Sequence, residues 1–292
     1  MTEQVPNLVQ RAAARLQQRP PPVIRSVTPA SLQTPTPRLE SPEPIAPATI
    51  IPARQLTLSP TSLAAHGIVL PSSGFSRPVE EFRALKRHVI SNAMRAGNAQ
   101  NRIVLVTSAR PGEGKTFTSI SLALSLAYER DTRVLLVDAD AYRQSLMNYL
   151  GLSSDTGWLD VVSDDTRSVR DLEFATNVPG LSVLPSGKQR AEIPELMSSR
   201  RMKSALEELA REDPGRFIIM DALPCLTSTE PSILAGLAGQ TLFVVTAHQT
   251  GRHDVEVALR QLNSSPSVNL VLNKVEPLLG EQFKGYGYGY QR

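Results

Sequence analysis

A short loop of small and charged residues is the most chemically specific stretch of this 292-residue chain. Segment 109–116 reads ARPGEGKT and lies between an apolar run and a long helical pattern. This arrangement favours phosphate binding, because Gly112 and Gly114 let backbone N–H groups surround phosphate oxygens and the helix N-terminus adds a positive dipole. We expect Lys115 to reach the β- and γ-phosphates of a nucleotide, and Thr116 to offer its hydroxyl to Mg²⁺.

Three aspartates follow apolar runs of strand length. Asp138 and Asp140 close the run LLVDAD, and Asp221 closes FIIMDA. Because ligands of open parallel sheets bind at the carboxyl ends of the strands, we expect these carboxylates to gather beside the loop. One can hold the metal, with Thr116, Asp138 and Asp221 as the expected set, and another can take the proton of an attacking hydroxyl. The sequence leaves open whether Asp138 or Asp140 is that base.

The elements that must position these residues alternate along the chain. Apolar runs that predict strands lie at 102–108, 132–140, 181–187, 216–224, 239–248 and 268–276. Patterns that predict helices lie at 79–95, 115–130, 193–212 and 251–264. Continuous apolar strands separated by helices predict an α/β fold, with a doubly wound, mostly parallel sheet and helices on both faces.

The two ends of the chain differ from the middle in composition. Residues 1–78 contain 14 of the 23 prolines and are predicted to be largely disordered, with a short helix as one option at 7–19. The predicted folded domain spans 79–280. Residues 281–292 are a predicted flexible tail, in which GYGYGYQR carries three of the six tyrosines of the chain, Tyr286, Tyr288 and Tyr290.

Composition narrows the cellular setting. The single cysteine, Cys225, cannot form an internal disulfide, which fits a reducing compartment and predicts a cytoplasmic location. No apolar run approaches the ~20 residues of a membrane span. The net charge of +3 arises from the proline-rich end, since residues 1–78 hold seven arginines and three glutamates. The predicted folded part is thus near neutral, and we expect no nucleic-acid partner.

Taken together, these motifs resemble the bacterial tyrosine autokinases of polysaccharide export, especially the stand-alone cytoplasmic kinases found with exosortase loci. VTSARPGEGKTFTSISLALSLA resembles their Walker A segment and VLLVDADAYRQS their second aspartate motif, Walker A′. RFIIMDALP takes the place of Walker B, and LNK at 272–274 resembles a strand end that contacts the base. The resemblance covers about residues 80–292. It implies a P-loop NTPase fold with ATP and Mg²⁺ as cofactors.

The resemblance also implies roles for individual residues. The catalytic set is Lys115, Asp138, Asp140, Asp221 and Arg143, in which Arg143 either steadies developing charge or pairs with an aspartate. The implied ATP-binding set is Ala109, Arg110, Pro111, Gly112, Glu113, Gly114, Lys115, Thr116, Phe117 and Asn273. VEEFRALKRHVISNA resembles a helix with an E-x-x-R-x-x-R oligomerisation motif, carried here by Glu80, Arg83 and Lys86.

The function implied by the resemblance is ATP-dependent autophosphorylation of the tyrosine cluster Tyr286, Tyr288 and Tyr290, regulating exopolysaccharide synthesis and export. The implied partners are other copies of the chain, in a ring, and a membrane-bound activator of the chain-length-determinant type. Such an activator would recruit this chain to the inner face of the membrane.

Two other functions remain open from the sequence. A non-kinase ATPase of the partitioning or cell-positioning type shares the architecture, and Arg110 stands where such ATPases carry an extra lysine. A catalytically weak nucleotide-binding adaptor is the other, because Walker B continues as Asp221-Ala222-Leu223-Pro224 instead of the usual Asp-Ser/Thr-Pro-Pro. Lys86 also replaces the second arginine of the oligomerisation motif, which keeps the charge but loses the bidentate fork.

Overall fold

The computed structural model describes residues 54–74, 76–164 and 166–276. Their strands are β1 Arg54–Leu56, β2 Ile103–Ser108, β3 Arg133–Asp138, β4 Phe174–Thr176, β5 Leu181–Leu184, β6 Arg216–Asp221, β7 Gln240–Thr246 and β8 Val268–Asn273. Their α-helices are α1 Pro60–Ala65, α2 Arg77–Ala96, α3 Lys115–Ala127, α4 Ser145–Leu150, α5 Trp158–Ser163, α6 Val169–Leu172, α7 Ile193–Met197, α8 Arg200–Glu212, α9 Glu230–Leu237 and α10 Arg252–Gln261. The predicted helix at 7–19 and the tail at 281–292 lie outside the described residues.

The strands form one sheet in the order β1-β4-β5-β3-β6-β2-β7-β8. From β5 to β8 every neighbouring pair is parallel. At the other edge β4 pairs antiparallel with β5, and β1 pairs parallel with β4. Every residue of the central strand β2 is buried, which explains its continuous apolar run. The prediction of a mostly parallel sheet is confirmed.

Helices cover both faces of the sheet. Alternate residues of β2 point to opposite layers, so that Ile103 and Leu105 belong to one apolar core and Val104 and Val106 to the other. The first core also contains side chains of α5 to α10, and the second those of α1 to α4. The doubly wound α/β architecture predicted from the sequence is therefore confirmed. Along the described part of the chain, no helix has the length and apolar character needed to cross a bilayer.

The folded region begins further upstream than the sequence indicates. Leu56, Leu58, Leu63 and Ile68 are buried in the same core as α2 to α4. The structure therefore differs from the domain start at residue 79, which was placed by proline content. Proline does not prevent this fold, because Pro60 lies in the first turn of α1, where its missing N–H has no helical partner to lose.

The helix predicted at 193–212 is two helices. α7 ends at Met197 and α8 begins at Arg200. Ser199 is the N-cap of α8, and its hydroxyl oxygen accepts a hydrogen bond from the backbone N–H of Met202 at 3.1 Å. Such a capping bond favours a new helix start over continuation through the Ser198-Ser199 pair.

Candidate active site

The phosphate-binding loop joins β2 to α3 at the carboxyl edge of the sheet, as the sequence predicts. Gly112 and Gly114 adopt left-handed backbone conformations, with φ of 82° and 96°. A Cβ atom at Gly114 would also lie 2.0 Å from the Nδ2 atom of Asn273. Glycine is therefore required at residue 114 for two reasons, the backbone angle and the close approach of a side chain.

Side chains from β8 and from within the loop hold its backbone. Asn273 donates from Nδ2 to the carbonyl of Glu113 at 2.9 Å, and Lys274 donates from Nζ to the carbonyl of Gly112 at 2.8 Å. The buried carboxylate of Glu113 accepts from the backbone N–H of Arg110 at 2.8 Å. The first two bonds engage loop carbonyls and the third engages the backbone N–H of Arg110, so the loop is held from both sides.

Carboxylates of neighbouring strands meet behind the loop. Asp138 and Asp221 are directly opposite each other in the register of β3 and β6. The hydroxyl of Thr116 donates to Oδ2 of Asp221 at 2.7 Å, and the hydroxyl of Ser119 donates to Oδ1 of Asp221 at 3.0 Å. Oδ1 of Asp138 accepts from the backbone N–H of Asp140 at 3.1 Å. The three predicted aspartates are therefore brought together.

Burial changes the acid–base properties of this cluster. Desolvation, reinforced by the negative charge of Asp221, raises the pKa of Asp138 to about 8. Desolvation also raises the pKa of Asp221 to about 6, opposed by the Thr116 hydrogen bond and the charge of Lys115. Desolvation lowers the pKa of Lys115, although the nearby carboxylates of Asp221 and Asp140 oppose this shift.

The acidic cluster fits a divalent cation. Oδ2 of Asp138 is buried and has no hydrogen-bond partner among the described residues. Asp138 is the register partner of Asp221, which binds the Thr116 hydroxyl. No group of three His, Cys, Asp or Glu side chains in the described ranges is arranged to bind a metal ion alone. Mg²⁺ in phosphoryl-transfer sites does not need such a group, because one or two carboxylates and phosphate oxygens complete its coordination.

A cleft of about 400 Å³ opens over the loop. Its wall includes Lys115, Thr116, Asp140 and Arg143. Asp138 and Asp221 do not line it, because they are buried beneath. Arg143 is tied to Asp140 by its backbone, since its N–H donates to Oδ1 of Asp140 at 3.0 Å.

The remaining predicted nucleotide-site residues lie on or beside the cleft. Phe117 and Pro111 line it with the glycines, as does Asn273. Arg110 points away toward α10, where Nη2 donates to Oδ1 of Asp254 at 3.0 Å. Ala109 is fully buried at the end of β2.

The altered Walker B segment remains anchored to the loop strand. The backbone N–H of Ala222 donates to the carbonyl of Val106 at 3.0 Å, and the carbonyl of Leu223 accepts from the hydroxyl of Thr107 at 2.6 Å. Pro224 lines the cleft. Although the residues after Asp221 differ from the usual Walker B sequence, their backbone is hydrogen-bonded to β2.

The predicted oligomerisation residues lie on α2, apart from the cleft. Arg83 forms an ion pair with Glu80 on the same helix. The Nζ atom of Lys86 lies 2.5 Å from Oε2 of Glu129 at the end of α3. All three side chains are therefore engaged within one subunit. The phosphoacceptor candidates Tyr286, Tyr288 and Tyr290 lie outside the described residues.

Sequence reasoning missed several residues of this region. Ser119 follows Lys115 by one helical turn, so the helix period alone could have placed it beside Asp221. Lys274, Tyr149 and His66 also line the cleft. His66 comes from α1, upstream of the predicted domain, and no local pattern indicates it.

Comparisons with known proteins agree with this geometry. A family model described as an AAA domain matches residues 101–264, more than half of the chain. The tyrosine-protein kinase CpsD of Streptococcus agalactiae serotype III is 33% identical over 202 residues, which cover 66% of this chain and 84% of CpsD. The tyrosine-protein kinase ptk of Acinetobacter johnsonii is 32% identical over 181 residues, 61% of this chain but 24% of ptk. This chain therefore spans about a quarter of the length of ptk.

A solved structure extends the match to three dimensions. The tyrosine kinase domain of BceF is 25% identical and superposes with a TM-score of 0.58, covering 74% of this chain and 91% of that domain. This chain therefore matches known tyrosine kinases in both sequence and fold, and the matched region includes the Walker A loop and the aspartate motifs described above. The chain belongs to the bacterial tyrosine-protein kinase family.

Proposed function

We propose that this chain is an ATP-dependent protein-tyrosine kinase that phosphorylates its own C-terminal cluster Tyr286, Tyr288 and Tyr290. The observation that carries the proposal is the convergence of Lys115, Thr116 and Asp140 on one cleft, with Asp138 and Asp221 directly behind it. This is the set of groups that phosphoryl transfer needs, namely phosphate binding, metal binding and a base.

In this mechanism the loop N–H groups and Lys115 bind and orient the nucleotide phosphates. Thr116, Asp221 and Asp138 would hold Mg²⁺, which supplies charge neutralisation at the transferred phosphate when bound. The dry, partly buried position of Lys115 strengthens its attraction to a phosphate oxygen, because water screens the charges less there.

Asp140 is the better candidate for the base. Asp140, although only 4% exposed, lines the cleft where a tyrosine hydroxyl can approach, whereas Asp138 is fully buried and does not line it. The tyrosine oxygen attacks the γ-phosphorus, its proton passes to Asp140, and the bond from the γ-phosphorus to the ADP oxygen breaks. Arg143 lines the same wall and can steady the charge that develops on the transferred group.

The biological setting follows from family membership and resemblance. Regulation of exopolysaccharide synthesis and export is the proposed role, with a membrane-bound chain-length-determinant-type protein as activator. A ring of several copies in the cytoplasm, recruited by that activator to the inner face of the membrane, is the proposed working form. The described residues carry charges of both signs, several of them in ion pairs, and we propose no nucleic-acid partner.

Autophosphorylation is the direct test. Purified full-length protein is incubated with Mg²⁺-ATP and the activator fragment, and phosphotyrosine is located by mass spectrometry. We expect phosphate on Tyr286, Tyr288 and Tyr290, and a reduction of at least about 100-fold in Lys115→Met, because the transition state loses its cationic partner. The variant with all three tyrosines changed to Phe is the control for acceptor identity.

The same experiment separates the alternatives. ATP hydrolysis without phosphotyrosine would favour a partitioning-type ATPase. Nucleotide binding without hydrolysis or phosphotyrosine would favour an adaptor. Either result contradicts the kinase proposal.

A further inference from the structure

One wall of the nucleotide cleft is aromatic. The rings of His66 and Tyr149 stack with their centroids 4.3 Å apart and their planes inclined by 26°. Both side chains line the same cleft as Lys115, Thr116 and Asp140. His66 is exposed, and Tyr149 is only half-buried against the core. An exposed aromatic pair facing a binding cleft presents a flat apolar surface to whatever enters it.

The two residues reach the cleft from separate parts of the fold. Tyr149 lies on α4, which directly follows the aspartate motif after β3. His66 is the C-cap of α1, and its backbone N–H donates to the carbonyl of Leu63 at 3.0 Å. Leu63 is buried, so α1 is fixed to the core and holds His66 in place. The pair is therefore a positioned part of the wall.

The position of the pair along the sheet edge indicates which end of the nucleotide it faces. In the sheet order, β8 with Asn273 lies two strands to one side of the loop strand β2, and β3 lies two strands to the other side. Asp140 and Arg143 follow β3, and the charges of both act on Lys115. The reacting end of the phosphates therefore lies on the β3 side of the cleft, which is also the side of α4 and Tyr149.

We propose that His66 and Tyr149 form the subsite that receives the aromatic ring of the acceptor tyrosine. A phenol ring packed on this pair would bring its hydroxyl toward Asp140 and the γ-phosphate. A flat aromatic surface suits a tyrosyl side chain flanked by glycines, because recognition then rests on the ring and not on neighbouring side chains. This inference rests on the proposed kinase function and names the substrate contact of that site.

The nucleobase is the other planar group that could stack here. It is disfavoured because a base on the β3 side would have to lie beside the carboxylate of Asp140, where the acceptor must approach. Asn273 and Lys274 line the cleft from the β8 side, and beyond the N–H groups that hold the loop their amide and ammonium carry further donors suited to a base and ribose.

The test separates acceptor binding from nucleotide binding. Full-length protein in which all three tail tyrosines are Ala, so that its own tail carries no ring to occupy the subsite, is loaded with Mg²⁺ and a non-hydrolysable ATP analogue. A fluorescein-labelled peptide of residues 281–292 is then titrated, and its Kd is read by anisotropy. We expect His66→Ala and Tyr149→Leu each to weaken peptide binding about 3- to 10-fold, the range for loss of one aromatic contact. The Kd of the ATP analogue, read by calorimetry, should stay within about twofold.

Conservative variants distinguish a subsite from a structural role. His66→Phe and Tyr149→Phe keep a flat ring and should retain peptide affinity within about twofold. Tyr128→Leu is the matched control, because it removes a partly exposed aromatic ring at the C-cap of α3. It should leave the Kd of the peptide and the Kd of the ATP analogue unchanged. Thermal melting of each variant checks that the fold is intact.

Three results would overturn the inference. They are unchanged peptide binding in His66→Ala and Tyr149→Leu, weakened nucleotide binding with unchanged peptide binding, and absence of peptide capture by the parent protein. None depends on turnover, so a protein that binds the peptide without phosphorylating it refutes the kinase proposal and leaves the aromatic subsite standing.

Discussion

The carboxylate of Asp138 is fully buried, and its pKa is raised to about 8 while an unfolded aspartate titrates near 3.8. The folded protein thus binds a proton that the unfolded chain releases between these two values. Stability of the nucleotide-free protein should therefore fall as pH rises from about 4 to about 8. Binding of Mg²⁺ at this carboxylate would expel the proton and make metal affinity rise with pH over the same range.

We expect Asp138→Asn to raise the melting temperature of the nucleotide-free protein at pH 8 by about 2–4 °C. The neutral amide removes the cost of burying a charge, which is about 1 kcal/mol or more. The amide oxygen can still accept the hydrogen bond from the backbone N–H of Asp140. The gain should shrink toward pH 4, and the measurement is calorimetry across this pH range.

Asp164→Asn is the matched control for this change. Asp164 is only half-buried, and hydrogen bonds from the Thr166 backbone N–H and hydroxyl hold its pKa below the usual value. The pKa shift of Asp164 is opposite in sign to that of Asp138, so Asp164→Asn should not gain stability at pH 8. An equal gain in both variants would contradict the assigned role of burial at Asp138.

At the scale of single elements, α1 anchors residues upstream of the predicted domain. Leu63 is 1% exposed and packs in the core with α2 to α4. We expect Leu63→Ala to lower the free energy of unfolding by about 2–4 kcal/mol, because the cavity cannot close fully. Urea denaturation measures this change.

Leu270→Ala on β8 is the control at this scale. Leu270 is 62% exposed, so its truncation should change the free energy of unfolding by less than about 0.5 kcal/mol. Equal losses in the two variants would show that burial in α1 does not contribute to the stability of the domain. A chain truncated at residue 79 should likewise be less stable than one truncated at residue 54.

At the scale of the whole molecule, phosphorylation is expected to control assembly. Residues Leu279 to Tyr290 can span about 35 Å when extended, enough to reach a neighbouring subunit. Three phosphotyrosines add roughly −5 to a tail whose side-chain charge from Lys284 onward is +2. We propose that unphosphorylated tails dock between subunits and that, once phosphorylated, they are released by repulsion from the acidic, nucleotide-loaded site.

The triple tyrosine-to-Phe variant should therefore stay assembled in Mg²⁺-ATP while the wild type dissociates. Light scattering coupled to size-exclusion chromatography measures the mass of each. Wild type with a non-hydrolysable ATP analogue should behave as the variant does. If variant and wild type dissociate alike in ATP, charge on the tail does not drive release.

Local patterns in the sequence determined the structure of the central strand, the phosphate-binding loop and the helix that follows it. The apolar run of β2, the glycine-bearing loop and Lys115 at the start of α3 are contiguous, so their geometry follows from short-range rules of strand, turn and helix. The aspartates at the ends of β3 and β6 could also be placed, because parallel strands bring their carboxyl ends to one edge. These features were enough to predict the fold and the meeting of the loop and the aspartates at one edge of the sheet.

Only the tertiary structure decided which groups face the cleft. Asp138 and Asp140 are two residues apart and both are buried, at 0% and 4% exposure, yet only Asp140 lines the cleft. His66 and Tyr149 meet because α1 packs beside α4, and Asn273 holds the loop because β8 ends next to it. Such contacts join residues distant in the chain and depend on the packing of whole elements, which carries no local signature in the sequence.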